Sequence, residues 1–173
     1  MQVVELQSLV RAIPDFPKPG ILFRDITPLI KNAEAFRAAI DMLAEPFVTK
    51  KIDYVVAIEA RGYLVGAPLA HTLNAGLIPV RKPGKLPYDT LKADYALEYG
   101  TNTLEVHADA LGHGERVLIA DDLLATGGTA GATKTLVERL GGQVVGFAFL
   151  IELASLNGRD KLGTTPVTTL MTF

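Results

Sequence analysis

The sequence predicts an α/β fold built on a parallel sheet with helices over both faces. Short β-branched or apolar runs recur at Tyr54–Ile58, Leu77–Val80, Val117–Ala120 and Val144–Ile151. Stretches of helical periodicity separate most of them, and strands alternating with helices imply parallel pairing. The chain has 173 residues, which fits one domain able to bury a core without disulfides or metals.

Taken in order, Val3, Val4, Leu6, Leu9 and Val10 lie near helical spacing, so Gln2–Ala12 reads as a short amphipathic helix. Pro14, Pro17, Pro19 and Gly20 then interrupt regular structure up to about Leu22. Phe36, Ile40, Leu43 and Phe47 repeat every three or four residues, which predicts a helix over Ala33–Val48. The strand at Tyr54–Ile58 leads into a helix through Ala70 and Leu73, in which Pro68 makes a kink or marks the first turn. After Val117–Ala120 comes a helix from about Gly128 to Leu140, and Val167–Met171 offers a last strand. Lys82–Thr101 breaks this rhythm with Pro83, Gly84, Pro87 and Gly100 and little periodicity. A loop of that length is either functional and mobile or a linker, and too little chain follows for a linker to a second domain.

Composition removes several function classes. The hydrophobic fraction is 49% and the charged fraction 21%, ordinary for a globular protein. A net charge of -2 gives no reason to expect nonspecific nucleic-acid binding. There is no cysteine, hence no disulfide, thiolate nucleophile or cysteine-based zinc site. Met1–Ile13 carries Glu5 and Arg11 and lacks the layout of a signal peptide. No apolar run reaches bilayer-spanning length, so a cytoplasmic protein without a membrane partner is expected. His71, His107 and His113 show no metal-ligand spacing and read as structural or surface residues.

The strongest local signal runs from Val117 to Thr129, Val-Leu-Ile-Ala-Asp-Asp-Leu-Leu-Ala-Thr-Gly-Gly-Thr. A hydrophobic strand meets Asp121 and Asp122, then a small-residue bend, then a helix. In open α/β sheets ligands bind beyond the carboxyl ends of the strands. Ala125, Thr126, Gly127, Gly128 and Thr129 would present backbone N–H groups and two hydroxyls at a helix N-terminus, which suits a phosphate. The two carboxylates would repel a phosphate beside them, so they accept from sugar hydroxyls or touch a metal. A ligand with a phosphate and a diol, such as ribose 5-phosphate, satisfies both halves. The spacing matches neither a Walker A loop nor the dinucleotide fingerprint. An ordinary strand–turn–helix junction with acidic and glycine-rich residues is the competing reading of the local pattern.

This stretch resembles the phosphoribosyl pyrophosphate signature of the type I phosphoribosyltransferases. Four further segments are similar to the adenine-specific branch of that family: Phe16–Pro28, Glu59–Gly62, Arg81–Pro87 with Glu98–Gly100, and Glu152–Leu156. The resemblance covers nearly the whole chain. It implies a mostly parallel twisted sheet flanked by helices, with an N-terminal base-binding hood at about 1–35 and a mobile active-site loop at about 82–101. It further implies transfer of a phosphoribosyl group to adenine, with pyrophosphate released.

The resemblance also distributes roles. Arg61, Arg81, Lys82 and Lys85 would surround the pyrophosphate arm, where an arginine fork suits phosphate oxygens; either lysine could equally be a solvated surface charge. Mg²⁺ would bridge ribose hydroxyl and pyrophosphate oxygens, reaching the protein only through Asp121 or Asp122 by way of water. Backbone groups at Leu22, Phe23 and Arg24 would read the adenine edge and Leu153 would pack on its face, although Leu22 and Phe23 also suit a core and Arg24 could pair with Asp25. Glu98 is the candidate for proton transfer at the base, with a solvent-facing loop acid as its plainer reading. Tyr88 carries no role. Related enzymes imply a homodimer. The competing functions are the same transfer to a 6-oxopurine and a non-catalytic sensor of phosphoribosyl pyrophosphate.

Overall fold

The computed structural model describes residues 1–96 and 100–173. Its centre is a five-stranded, all-parallel sheet of β3 (Tyr54–Ile58), β4 (Gly76–Val80), β7 (Arg116–Leu124), β8 (Gln143–Glu152) and β9 (Val167–Thr172). Their order across the sheet is β4-β3-β7-β8-β9. Strand order reverses between β3 and β7, so the crossovers leave a crevice at their carboxyl ends.

Alternation along the central strands explains why both faces are covered. Val55, Leu118, Ala148 and Leu150 pack in one cluster with the helices α1 (Val3–Ser8), α2 (Thr27–Lys31), α3 (Ala33–Ala44) and α4 (Gly62–Thr72). Val56, Ile119, Phe147 and Phe149 turn the other way. They meet α5 (Gly128–Arg139) and the hairpin of β5 (Thr90–Ala96) with β6 (Thr101–His107). With side chains pointing alternately up and down, apolar residues must fill consecutive positions in a sheet buried on both sides. The sheet, α3, α4 and α5 therefore lie where hydrophobic patterning places them. Asn32 starts α3 by accepting the Glu34 and Ala35 N–H groups, both at 3.1 Å.

Two stretches differ from the sequence reading, and one of its alternatives is settled. The first helix stops at Ser8, because Arg11–Pro14 forms a strand, β1, antiparallel to β2 (Leu22–Asp25). Asp15 closes the connection by accepting the Gly20 N–H at 2.8 Å. Pro68 stands inside α4, not in its first turn. Lys82–Thr101 is not an irregular loop throughout, since Thr90–Ala96 pairs in register with Thr101–His107. Arg81 joins this hairpin to the sheet through two backbone hydrogen bonds with Glu105, 2.9 and 2.8 Å. Both strand pairings depend on contacts between residues apart in sequence, which local periodicity does not report. Among the described residues, no helix is long and apolar enough to cross a membrane.

Candidate active site

A cleft of about 470 Å³ opens where β3 and β7 end, at the reversal of strand order. The turn after β3 gives it Glu59, Ala60 and Arg61; β7 gives Asp121, Asp122 and Leu123; and the following loop gives Ala125 and Thr129. Lys82 enters from the start of the 82–89 bend, and Tyr95, Asn102 and Leu104 from the β5–β6 hairpin. A second hollow of about 60 Å³ lies within the Leu123–Ala130 loop itself, a size suited to one anionic group. A wider groove, about 620 Å³ between α3 and α4, holds none of the acids or turn amides the sequence singles out. Chemistry therefore belongs to the smaller cleft.

The Ala125–Thr129 loop can take this shape only with glycine at its centre. Gly127 has φ of 79°, and a Cβ there would collide with the Gly158 carbonyl oxygen. Beyond it Gly128 begins α5, so the N–H groups of its first residues, which line the hollow, lack partners within the helix. Thr129 also lines the hollow, while the Thr133 hydroxyl, one turn on, donates to the Thr129 carbonyl.

Asp121 and Asp122 stand inside β7, which runs on to Leu124. The two carboxyl groups behave differently. Asp122 is buried and forms an ion pair with Arg61, Nε to Oδ2 2.7 Å. Asp121 accepts the Asp122 N–H at 2.8 Å. Desolvation, then the neighbouring Asp122 charge, pushes the Asp121 carboxyl well above its ordinary value. The guanidinium of Arg61 also lies 5.1 Å from the Phe23 ring centre, joining the β3 turn to the hood.

Glu59 organises the cationic side of the cleft. Its carboxylate accepts from Arg81 Nε at 3.0 Å and from the Lys82 backbone N–H at 3.0 Å. The Arg81 hydrogen bond is the main reason its carboxyl is held below the usual range, against an opposing burial effect. Arg81 also donates to the Lys85 carbonyl at 3.3 Å, curling the 81–85 segment. Beneath it, buried Glu105 accepts from Lys92 Nζ at 2.9 Å and from the Gly84 N–H at 3.2 Å.

Of the residues chosen from sequence, Arg61, Lys82, Asp121, Asp122, Ala125 and Thr129 share the main cleft. Thr126, Gly127 and Gly128 complete the smaller hollow. Arg81 reaches the site through Glu59, whereas the exposed Lys85 side chain is not among the cleft walls. In the hood, Phe23 packs edge-on against Phe16, 5.1 Å between ring centres. Leu22 is exposed on the same strand, and Arg24 lies over the Phe173 ring at 4.1 Å instead of pairing with Asp25. Asp25 instead caps Thr27, accepting its N–H at 2.9 Å. Leu153 follows β8, half-buried, its N–H donating to the Leu124 carbonyl at 2.9 Å. Glu98 lies outside the described residues. Sequence reasoning missed Tyr95 and Asn102, whose signal was the polar–apolar alternation of the hairpin. It also gave Glu59 no role, because Arg81 and Lys82 come beside it only in the fold.

Among the described residues no cluster of three metal-ligating side chains exists. The donor set is two adjacent carboxylates, one of them already paired with Arg61. That set fits a Mg²⁺ ion carried mainly by ligand oxygens and water, since Mg²⁺ commonly takes one or two carboxylates plus substrate phosphate.

A cleft at the strand reversal, with an anion-sized amide loop and a paired acid beside it, has the chemistry that a phosphorylated sugar requires. Residues 28–168 match the phosphoribosyl transferase domain, and the chain belongs to that family. Full-length relatives include adenine phosphoribosyltransferases. That of Brachyspira hyodysenteriae is 57% identical over 170 residues, 98% of this chain and 100% of the relative. The crystal structure from Thermoanaerobacter pseudethanolicus is 53% identical with a TM-score of 0.97, covering 99% of this chain and 100% of that one. The Saccharomyces cerevisiae structure, complexed with an imino-altritol bisphosphate and adenine, is 44% identical with a TM-score of 0.92 over 97% of each chain.

Proposed function

We propose that this chain transfers the phosphoribosyl group of 5-phosphoribosyl 1-pyrophosphate to adenine, giving AMP and pyrophosphate, a purine-salvage reaction. The observation that carries the reading is the pairing of the Ala125–Thr129 amide hollow with Asp122 at the β3–β7 crevice. Adenine as acceptor rests on the names and bound ligand of the relatives.

In this reading the loop N–H groups hold the 5-phosphate. Asp122, and Asp121 beside it, take the ribose hydroxyls once Arg61 moves from Asp122 to the pyrophosphate. Arg81, Lys82 and Lys85 add positive charge along that arm, with Glu59 keeping Arg81 and the Lys82 amide in line. Asp121 or Asp122, through water, would help to hold a Mg²⁺ ion brought in with the substrate, which would supply charge neutralisation for the leaving group. Phe23 and Leu153 would sandwich the base while backbone groups of Leu22 to Arg24 read its edge.

The C1–O bond to pyrophosphate breaks as the C1–N9 bond forms, through an oxocarbenium-like state. The N9 proton leaves the base, and Glu98 is the group proposed to take it. No covalent intermediate is required, in keeping with a cleft that presents neither cysteine nor an activated serine. Orientation of the sugar and stabilisation of the departing pyrophosphate then dominate the rate. Closing the 82–101 segment over the cleft would exclude water from the activated sugar.

The reading extends to a cytoplasmic homodimer that uses neither nucleic acid nor membrane. Exposed Leu77 on the edge strand β4 and exposed Leu64 on α4 favour a second subunit. Sedimentation at micromolar concentration tests the dimer. The activity is tested by following AMP formation from adenine with Mg²⁺ and phosphoribosyl pyrophosphate, with guanine and hypoxanthine as controls. AMP formed from adenine, with little product from the controls, is the expected result. No turnover of any base would remove the enzymatic reading.

A further inference from the structure

Behind the phosphate hollow lies a buried acid that the reaction does not use. Glu152, at the end of β8, is 8% exposed. Its two oxygens accept a fork from Arg159, Nε to Oε1 2.7 Å and Nη2 to Oε2 2.6 Å. Arg159 also donates to Thr169 Oγ1 at 3.1 Å and to the Val167 carbonyl at 3.2 Å, both on β9. Thr169 closes the set by donating to Glu152 Oε2 at 3.0 Å.

The residue just before this arginine is the back wall of the loop. A Cβ on Gly158 would collide with the Ala125 carbonyl, and a Cβ on Gly127 would collide with the Gly158 carbonyl. Two backbones therefore press directly on each other. Gly158 is itself buried, but no large side chain of its own turn is buried to fix that contact. The short turns Ala154–Leu156 and Gly158–Lys161 bury no large side chain, and Leu162 anchors only their far end. The fourfold hydrogen bonding of Arg159 ties the segment to β8 and β9 instead. An arginine fork on a carboxylate fixes direction as well as distance, which a lysine cannot reproduce.

We propose that Arg159, oriented by Glu152 and Thr169, is a positioning residue that sets the Gly158 backbone against Ala125–Gly127 and so shapes the grip on the 5-phosphate. This rests on the phosphoribosyl-transfer reading above. Arg159 touches neither substrate nor reacting atoms; it acts through the loop. Losing it should widen the loop and weaken phosphate binding while sparing the acceptor.

The test is steady-state kinetics on the full chain, with each substrate varied in turn. Arg159→Ala should raise the KM for phosphoribosyl pyrophosphate roughly tenfold, with the adenine KM changed by less than about twofold. Added methylguanidinium, which can occupy the vacated fork, should restore most of the loss. Arg159→Lys, which keeps charge and most of the stem, is the second variant should the alanine form not fold; it should show the same selective KM rise. An unchanged phosphoribosyl pyrophosphate KM in folded variants would overturn the proposal. So would equal losses in both KM values and kcat without guanidinium rescue. An inactive wild-type chain would instead sink the activity itself, so the two failures are distinguishable.

Discussion

Arg61 Nε lies 2.7 Å from Asp122 Oδ2, an ion pair that spans the β3–β7 crevice. The acid proposed for the sugar and the cation proposed for the pyrophosphate neutralise each other in this pair. Asp122→Asn should therefore lower kcat/KM for phosphoribosyl pyrophosphate on the order of 100-fold. Because Arg61 is 44% exposed and can return to water, stability should change by only about 1 kcal/mol. Thermal melts alongside initial rates check both halves; unchanged kinetics would remove Asp122 from the diol.

Gly127 tests the loop by geometry alone. Gly127→Ala must hold an alanine at φ of 79° and displace the Gly158 carbonyl. The expected cost is roughly 1–3 kcal/mol of stability, with a phosphoribosyl pyrophosphate KM that rises more than the adenine KM. Urea unfolding and substrate-varied kinetics report the two effects. A variant as stable and active as wild type would show that the loop is not constrained as described.

Glu152 gives a pH dependence of definite sign. Its carboxyl is held below the ordinary value of 4.5, chiefly by the Arg159 hydrogen bond and further by Thr169. A depressed folded-state pKa contributes stability that is present above the unfolded value and lost as pH falls through the folded one. Glu152→Gln should thus be less stable than wild type at neutral pH, with the gap narrowing progressively below pH 4.5. Melting curves across that range decide it, and a gap independent of pH would contradict the ion pair.

Asp121 predicts the reverse. Desolvation and the Asp122 charge raise its carboxyl pKa well above 3.8. Ionisation therefore disfavours the folded state as pH climbs from 3.8 toward the raised value. Asp121→Asn, which keeps the acceptor for the Asp122 N–H, should be more stable than wild type at neutral pH and equal to it in strong acid. Lower neutral-pH stability in the variant would reject this account of the carboxylate pair.

Much of this architecture is legible in the sequence. Val55 and Val56, or Leu118 and Ile119, are apolar neighbours because each pair serves two buried faces. The bend after β7 is readable because glycine, small residues and hydroxyls at a strand–helix junction have few other uses. The β1–β2 and β5–β6 hairpins are not readable that way. Arg11 finds Asp25, and Thr90 finds His107, only through pairing across the chain. Arg24 illustrates the same limit: the local sequence offers Asp25, while the fold brings up Phe173. Glu59 and Arg159 were also hidden, since their work is to hold other groups and not to meet a ligand.

A crystal grown with AMP gives the most direct test. The prediction is a phosphate seated against the N–H groups of Ala125–Thr129, ribose hydroxyls on Asp122, and Arg61 moved off that carboxylate. A nucleotide whose phosphate lies anywhere else, with the Arg61–Asp122 pair intact, would contradict the site.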